Sequence, residues 1–171
     1  VTAPGKGGIK NIVSGINSNG LSKDDRILAA ASCTTNAIVP ILKAIDDEFQ
    51  IRSGHIETVH AYTPDQNLTD NYHEKSRRGR SAALNLVITE TGASSAITDL
   101  LPSLEGKLTG NAIRVPTPDV SLAILNLTVT RNTTFEEVNG YLRDASLYSP
   151  LQRQIDFINS PEVVSSDFVG N

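Results

Sequence analysis

The fold of this chain depends on one short stretch, Ala31-Ser32-Cys33-Thr34-Thr35-Asn36, which contains the only cysteine of the sequence. Upstream, residues 26–31 form a small apolar run with the length of a strand. Downstream, apolar residues recur near the helical period as far as Phe49. Hydroxyl and amide side chains at the junction are typical of a helix start. The stretch therefore predicts a strand followed by an amphipathic helix that begins at Cys33 and ends near Phe49.

The position of Cys33 has two possible interpretations. Unpaired backbone N–H groups and the positive end of the helix dipole favour an anion at a helix start. A thiol placed there ionises more readily and becomes a better nucleophile. Alternatively, Cys33 is a small hydrophobic residue buried in the core. Position alone leaves both interpretations open.

A second candidate is His60, near the end of a strand predicted over residues 55–62 from its β-branched residues and length. On that strand His60 shares a face with Ile56 and Thr58. A histidine on a strand is commonly structural. In a chain with a single cysteine, however, a histidine at a strand end can act as the general base for the thiol.

Composition excludes several classes of protein. The net charge of −4 and the isoelectric point near 5.3 give no reason to expect binding to nucleic acid. No apolar run approaches the roughly 20 residues needed to span a bilayer. A single cysteine and no visible signal peptide predict a reducing, cytoplasmic location. The chain opens without methionine and stops in mid-pattern, so we expect a fragment of a longer protein.

Three further segments carry groups suited to anions. The loop over residues 63–80 ends in a basic cluster, whose guanidinium groups are either solvated or a receptor for phosphate. Residues 89–95 resemble a helix cap, and a helix start can bind an anion. Arg114 lies in a predicted strand, where an unpaired cation is costly to bury. It should therefore face either solvent or an anion.

The remaining pattern decides the fold class. Strands are predicted over residues 112–115, 120–130, 154–158 and 163–167. Thr134-Phe135-Glu136-Glu137 has the form of a capping box and predicts a surface helix. Helices grouped with long, mainly antiparallel strands predict an α+β fold with a largely antiparallel or mixed sheet, not a doubly wound sheet.

Four blocks in this order closely resemble the phosphorylating glyceraldehyde-3-phosphate dehydrogenases. They are Ala31–Asn36, Thr58-Val59-His60-Ala61-Tyr62-Thr63, Thr91-Gly92-Ala93 and Arg114-Val115-Pro116-Thr117-Pro118. Residues 77–82 resemble the bacterial version of the family's basic loop. The resemblance implies a catalytic domain over residues 33–171, truncated at its C-terminal end, with helices packed on one face of the sheet. Residues 1–32 would be the C-terminal remnant of a Rossmann-type NAD-binding domain.

The resemblance also implies a role for each matching residue. Cys33 would attack the aldehyde carbon to give a thiohemiacetal, and His60 would act as its base and help to hold the oxyanion. Transfer of hydride to NAD would leave a thioester, which inorganic phosphate would release as an acyl phosphate. The incoming phosphate would be bound by Ser32, Thr34, Arg78, Thr91 and Gly92. The substrate phosphate would be bound by Thr63, Asp65 and Arg114. Thr2 would contact the nicotinamide end of NAD, and no metal is implied.

The implied protein is a glycolytic oxidoreductase that acts on glyceraldehyde 3-phosphate and inorganic phosphate and forms a homotetramer at full length. NAD would be bound mostly outside this chain, with NADP still open, so the chain alone is expected neither to bind NAD well nor to turn over. Two alternatives are close relatives: an erythrose-4-phosphate dehydrogenase and a non-phosphorylating aldehyde dehydrogenase of similar architecture. Two others belong to different classes: a cofactor-independent Cys–His thiol hydrolase and a non-enzymatic oligomerisation or binding domain. No nucleic acid or membrane partner is expected.

Overall fold

The computed structural model describes residues 1–89 and 92–170 and has the predicted α+β fold. Its strands are β1 (Lys10–Asn11), β2 (Leu28–Ala29), β3 (Ile51–Ala61), β4 (Val87–Thr89), β5 (Leu108–Val115) and β6 (Leu122–Val129). Its helices are α1 (Cys33–Phe49), α2 (Ala93–Leu100) and α3 (Phe135–Tyr148).

The main sheet is mixed and has the strand order β4-β5-β3-β6. Strand β5 runs parallel to β3 and antiparallel to β4. The register of β3 with β5 places His60 opposite Arg114, so two predicted site residues are neighbours across the sheet. Strands β1 and β2 form a separate parallel pair of two residues each.

Helix α1 begins at Cys33 and ends at Phe49, as predicted. The helix continues through Pro40, which lacks an N–H and so removes one backbone hydrogen bond. Its apolar side is buried along most of its length, including Ile38, Leu42 and Phe49, and this burial offsets the lost bond. The helix is therefore held by packing on one side and by its caps at the two ends.

The described residues divide into two compact units. The first contains residues 1–53, 95–107 and 127–158. In this unit Ala44, Leu151 and Ile155 form a buried cluster. Phe49 packs edge-on against Tyr141 with ring centroids 5.6 Å apart, and the Arg131 guanidinium lies 5.4 Å from the Phe49 ring centroid. These contacts fix the C-terminal end of α1.

The second unit contains residues 54–94, 108–126 and 159–171. Its described residues include most of β3 together with β4 and β5. Ile56, Thr58 and His60 alternate along β3 and are all buried, as the period of a strand requires for one face. His60 therefore belongs to the inner face of the sheet.

The prediction of strands over residues 154–158 and 163–167 is wrong. Residues 151–154 form turns, and Ser165–Phe168 form a short 3₁₀ helix. Ile155 is buried in the cluster with Ala44. Its apolar side chain therefore packs in the core after α3 and does not belong to a hydrogen-bonded strand. A short apolar run does not by itself distinguish these two uses.

Candidate active site

The first group of candidate residues surrounds the start of α1. Ser32 is the N-cap, and its hydroxyl accepts a hydrogen bond from the Thr35 amide at 3.0 Å. Ala31 has a φ of 58°, a left-handed conformation that is uncommon for a residue with a Cβ. The side-chain amide of Asn36 donates to the Ala30 carbonyl at 2.6 Å and to the Ser32 carbonyl at 2.9 Å. These bonds fix the backbone that leads into the helix.

Cys33 is the first residue of α1, and its side chain is exposed. This exposure excludes the interpretation of Cys33 as a small core residue. The Thr34 hydroxyl lies 3.9 Å from the Cys33 Sγ. Because the first N–H groups of a helix have no partner within the helix, this end offers backbone donors and a hydroxyl beside a thiol. Such a site suits both an anion and a nucleophilic sulfur.

The second group lies at the end of β3. His60 is only 9% exposed. Its Nδ1 lies 2.7 Å from the Ala61 carbonyl oxygen and 2.9 Å from the Arg114 Nη1. The same Nη1 donates to the Ala61 oxygen at 3.1 Å and to the Thr63 hydroxyl at 3.2 Å. The sequence predicts that Arg114 faces either solvent or an anion. In the structure, part of its guanidinium group instead donates hydrogen bonds to acceptors of the chain itself.

The Ser121 side chain was not predicted from the sequence as part of this group. Its hydroxyl accepts a hydrogen bond from the Ala61 amide at 3.1 Å and so holds the end of β3 next to His60. A serine just before a strand is too common to have signalled this role.

Asp65 links the loop after β3 to the basic cluster. It accepts a hydrogen bond from the Thr63 hydroxyl and forms an ion pair with Arg78. Arg78 also donates to the Thr89 hydroxyl at 2.9 Å. The Arg78 side chain is only 12% exposed, whereas that of Arg80, which pairs with Asp70, is 65% exposed. Within the basic cluster, Arg78 thus turns inward and Arg80 is solvated.

The environment of Asp65 changes its acidity. Burial by itself raises the pKa of Asp65. The Thr63 hydrogen bond and the positive charges of Arg78 and Arg114 together lower the pKa by more than burial raises it, so the pKa lies below the ordinary 3.8. A carboxylate with a lowered folded pKa stabilises the fold above its ordinary pKa and loses that contribution as the pH falls through the folded value.

We therefore expect Asp65→Asn to destabilise the chain at neutral pH by an amount that shrinks in acid. The difference in unfolding free energy between wild type and variant should be constant at neutral pH and fall once the pH drops below about 4. Urea unfolding measured at a series of pH values tests this. The exposed carboxylate of Asp24 supplies the matched control, Asp24→Asn. The expectation would be contradicted if the difference in unfolding free energy between wild type and Asp65→Asn stayed constant down to the lowest pH at which the chain is folded.

The remaining predicted site residues are Gly92, Thr2 and Thr91, and the structure describes the first two. Gly92 is exposed, and a Cβ built there would meet nothing within 4 Å, so space does not require glycine. Thr2 is exposed near the start of the chain. Thr91 lies outside the described residues. The sequence indicates Thr89 only as part of a helix cap, whereas in the structure its hydroxyl accepts a hydrogen bond from Arg78.

Strands β1 and β2 have two residues each, and the sequence has no G-x-G-x-x-G after a strand. In the part of the chain that the structure describes, no three His, Cys, Asp or Glu side chains are grouped to hold a metal ion. The described helices are also too short or too polar to cross a membrane.

The chain thus has an α+β fold, with an exposed thiol at the start of α1 and, separately, two arginine side chains that donate to hydroxyl groups. Residues 32–171 match the family model of the glyceraldehyde 3-phosphate dehydrogenase C-terminal domain. The chain therefore belongs to the glyceraldehyde-3-phosphate dehydrogenase family, a family of phosphorylating dehydrogenases.

Curated relatives agree with this assignment. The chain is 64% identical over its full length to a glyceraldehyde-3-phosphate dehydrogenase-like protein of Pseudomonas aeruginosa (strain UCBPP-PA14), of which it covers 37%. It is 45% identical to the glyceraldehyde-3-phosphate dehydrogenase of Kitasatospora aureofaciens, with 100% of the chain and 51% of that protein aligned. It is 47% identical to the chloroplastic enzyme GAPA1 of Arabidopsis thaliana, with 98% of the chain and 42% of that protein aligned. The chain thus spans about half or less of the length of these relatives.

Proposed function

We propose that the protein containing this chain is a glycolytic glyceraldehyde-3-phosphate dehydrogenase, which oxidises the aldehyde and phosphorylates the product. Residues 33–171 are its catalytic domain, and residues 1–32 are the end of its cofactor domain. The observation that carries the proposal is the exposed thiol of Cys33 at the start of α1, in a chain of this family.

In this proposal Cys33 is the nucleophile. Its sulfur attacks the aldehyde carbon, and the carbonyl oxygen becomes the alkoxide of a thiohemiacetal. The backbone N–H of Cys33 donates to that oxygen, because the first N–H groups of a helix are not used within the helix. After hydride leaves the same carbon, a thioester to Cys33 remains, and an oxygen of inorganic phosphate displaces the sulfur to give an acyl phosphate.

His60 is the general base of this reaction. It takes the proton of the thiol before attack, gives that proton to the alkoxide to form the thiohemiacetal hydroxyl, and takes it back as hydride departs. Its burial in the sheet and the hydrogen bonds around Ala61 support this role, since a base must be held in one orientation.

Two sets of residues bind the two phosphates. The inorganic phosphate is bound by Ser32, Thr34, Arg78, Thr91 and Gly92. The site of the substrate phosphate is formed by Thr63, Asp65 and Arg114. Arg78 and Arg114 each carry guanidinium donors against hydroxyl groups, a combination suited to phosphate oxygens. Asp65 is acceptor-only when ionised, so its task is to hold Thr63 and Arg78 and not to touch the anion.

A bound nicotinamide dinucleotide supplies acceptance of the hydride. We assign its binding mainly to the part of the protein outside this chain, with Thr2 at the nicotinamide end. The choice between NAD and NADP also belongs to that part.

The full-length protein is further proposed to be a cytoplasmic homotetramer. Exposed apolar side chains on and just before β4 and on β6 support self-association, because apolar side chains that lie together on a surface mark interaction sites. They are Leu84, Leu86, Ile88, Leu122 and Ile124.

The test is an aldehyde panel with the full-length protein. Reduction of the nicotinamide cofactor should require glyceraldehyde 3-phosphate and inorganic phosphate and yield an acyl phosphate. Preference for erythrose 4-phosphate would reassign the substrate. Oxidation that does not need phosphate would indicate a non-phosphorylating enzyme. Ester hydrolysis by this chain without cofactor would overturn the proposal in favour of a thiol hydrolase.

A further inference from the structure

The sequence contains two Asn-Gly pairs, and the structure places them in opposite settings. Asn19-Gly20 lies in a single 3₁₀ turn (Ser18–Gly20), whereas Asn139-Gly140 lies inside α3. Asparagine followed by glycine is the pair most prone to spontaneous deamidation, because glycine has no Cβ to hinder attack by its own amide nitrogen. The setting of each pair therefore decides whether this chemistry occurs there.

The turn that contains Asn19 is weakly held. Both Asn19 and Gly20 are exposed, and no residue of the turn is buried. The Gly20 amide donates one hydrogen bond, to the Asn17 carbonyl at 3.2 Å. Within the described residues no hydrogen bond restrains the Asn19 carboxamide, whereas that of Asn17 bonds the backbone of Asn11 and Val13. Breaking a single exposed bond therefore frees the attacking nitrogen.

The second pair is restrained by its helix. Gly140 follows Asn139 within the 14 residues of α3, where the backbone amides are hydrogen-bonded along the helix. A capping box of Thr134 and Glu137 holds the start of that helix. Attack on the Asn139 side chain requires the Gly140 amide to leave its helical position, so neighbouring backbone bonds must break with it.

We infer that Asn19 is a site of spontaneous deamidation and that Asn139 is protected from it. The Gly20 nitrogen bonds to the side-chain carbonyl carbon of Asn19, and the bond from that carbon to Nδ2 breaks. Nδ2 leaves as ammonia and takes the equivalent of the proton that the Gly20 nitrogen gives up. Water then opens the resulting succinimide at one of its two carbonyls, which gives aspartate or isoaspartate. No group is oxidised or reduced, and water is the only co-reactant.

Deamidation changes both the charge and the backbone of the turn. The product adds one negative charge, and isoaspartate also inserts a carbon into the main chain before Gly20. The hydrogen bond from Gly20 to the Asn17 carbonyl cannot keep its geometry in that product, so the turn should loosen. The turn lies between β1 and β2 and includes neither Cys33 nor His60, so the inference does not depend on the proposed function.

The test is incubation of the folded full-length protein in mildly alkaline buffer, with peptide mapping by mass spectrometry at intervals. The mass gain from replacement of NH₂ by OH should accumulate at Asn19 at least about tenfold faster than at Asn139, because an exposed turn opens far more often than a helix interior. Enzymatic methylation of isoaspartate should label the Asn19 peptide. In guanidinium chloride, where neither setting persists, the two pairs should react at similar rates.

Gly20→Ala is the matched variant. A Cβ at this position would meet nothing within 4 Å, and Gly20 is not among the residues with positive φ, so alanine fits the turn while hindering the attack. Deamidation at Asn19 should become several times slower in this variant, with the rate at Asn139 unchanged. Equal rates at the two pairs in the folded protein, or an Asn19 rate that Gly20→Ala does not change, would overturn the inference.

Discussion

Replacing Cys33 with serine is expected to lower kcat of the full-length protein by about 10⁴-fold or more, comparable to the loss of other catalytic nucleophiles. A hydroxyl ionises far less readily than a thiol, and an oxygen ester does not react as the thioester does. Because Cys33 is exposed and serine is of similar size, the fold should be little affected.

The measurement is steady-state formation of reduced cofactor from glyceraldehyde 3-phosphate. Ala37→Ser provides the matched control, since Ala37 is exposed one turn further along α1 and the change also adds a hydroxyl. This control should stay within about twofold of wild type, as surface substitutions usually do. A Cys33→Ser protein that keeps a tenth of its activity would show that the sulfur is not the nucleophile.

The second large effect is expected for His60→Asn, which should lower kcat by about 10²- to 10⁴-fold, the usual contribution of a general base. Asparagine keeps hydrogen-bonding capacity near the Ala61 carbonyl but cannot take a proton at neutral pH. The loss should be in kcat more than in KM, because the base acts in the transition state.

His55→Asn is the control on the same strand. Both ring nitrogens of His55 are within hydrogen-bond distance of a partner, one of the Thr109 hydroxyl and the other of the Asn111 side-chain oxygen, each at 2.8 Å. Its substitution should cost stability but little activity. Equal losses in kcat for the two variants would mean that His60 acts through the sheet and not through its proton.

Features set by neighbouring residues could be predicted from the sequence. The start of α1 at Cys33 follows from local caps and from apolar spacing, both of which act within a few residues. The capping box of Thr134 and Glu137 is present for the same reason. The strand that carries His60 was recognised from its β-branched residues, although β3 is longer than the predicted segment.

Features set by distant pairing could not be predicted. The parallel register of β3 with β5 brings Arg114 against His60, and nothing near either residue specifies it. Arg78 and Arg80 belong to the same basic loop, yet only Arg78 turns inward, because Asp65 and Thr89 are there to receive it. Residue type alone does not separate a solvated cation from a paired one.

The central claim is that Cys33 reacts as a thiolate maintained by His60. The rate of Cys33 alkylation by iodoacetamide, measured against pH in full-length wild type and in His60→Asn, tests this most directly. The account predicts rapid alkylation of wild type at neutral pH, whereas the profile of the variant should be displaced to higher pH, toward the ordinary thiol value of about 8.5. Superimposable profiles for the two proteins would contradict it.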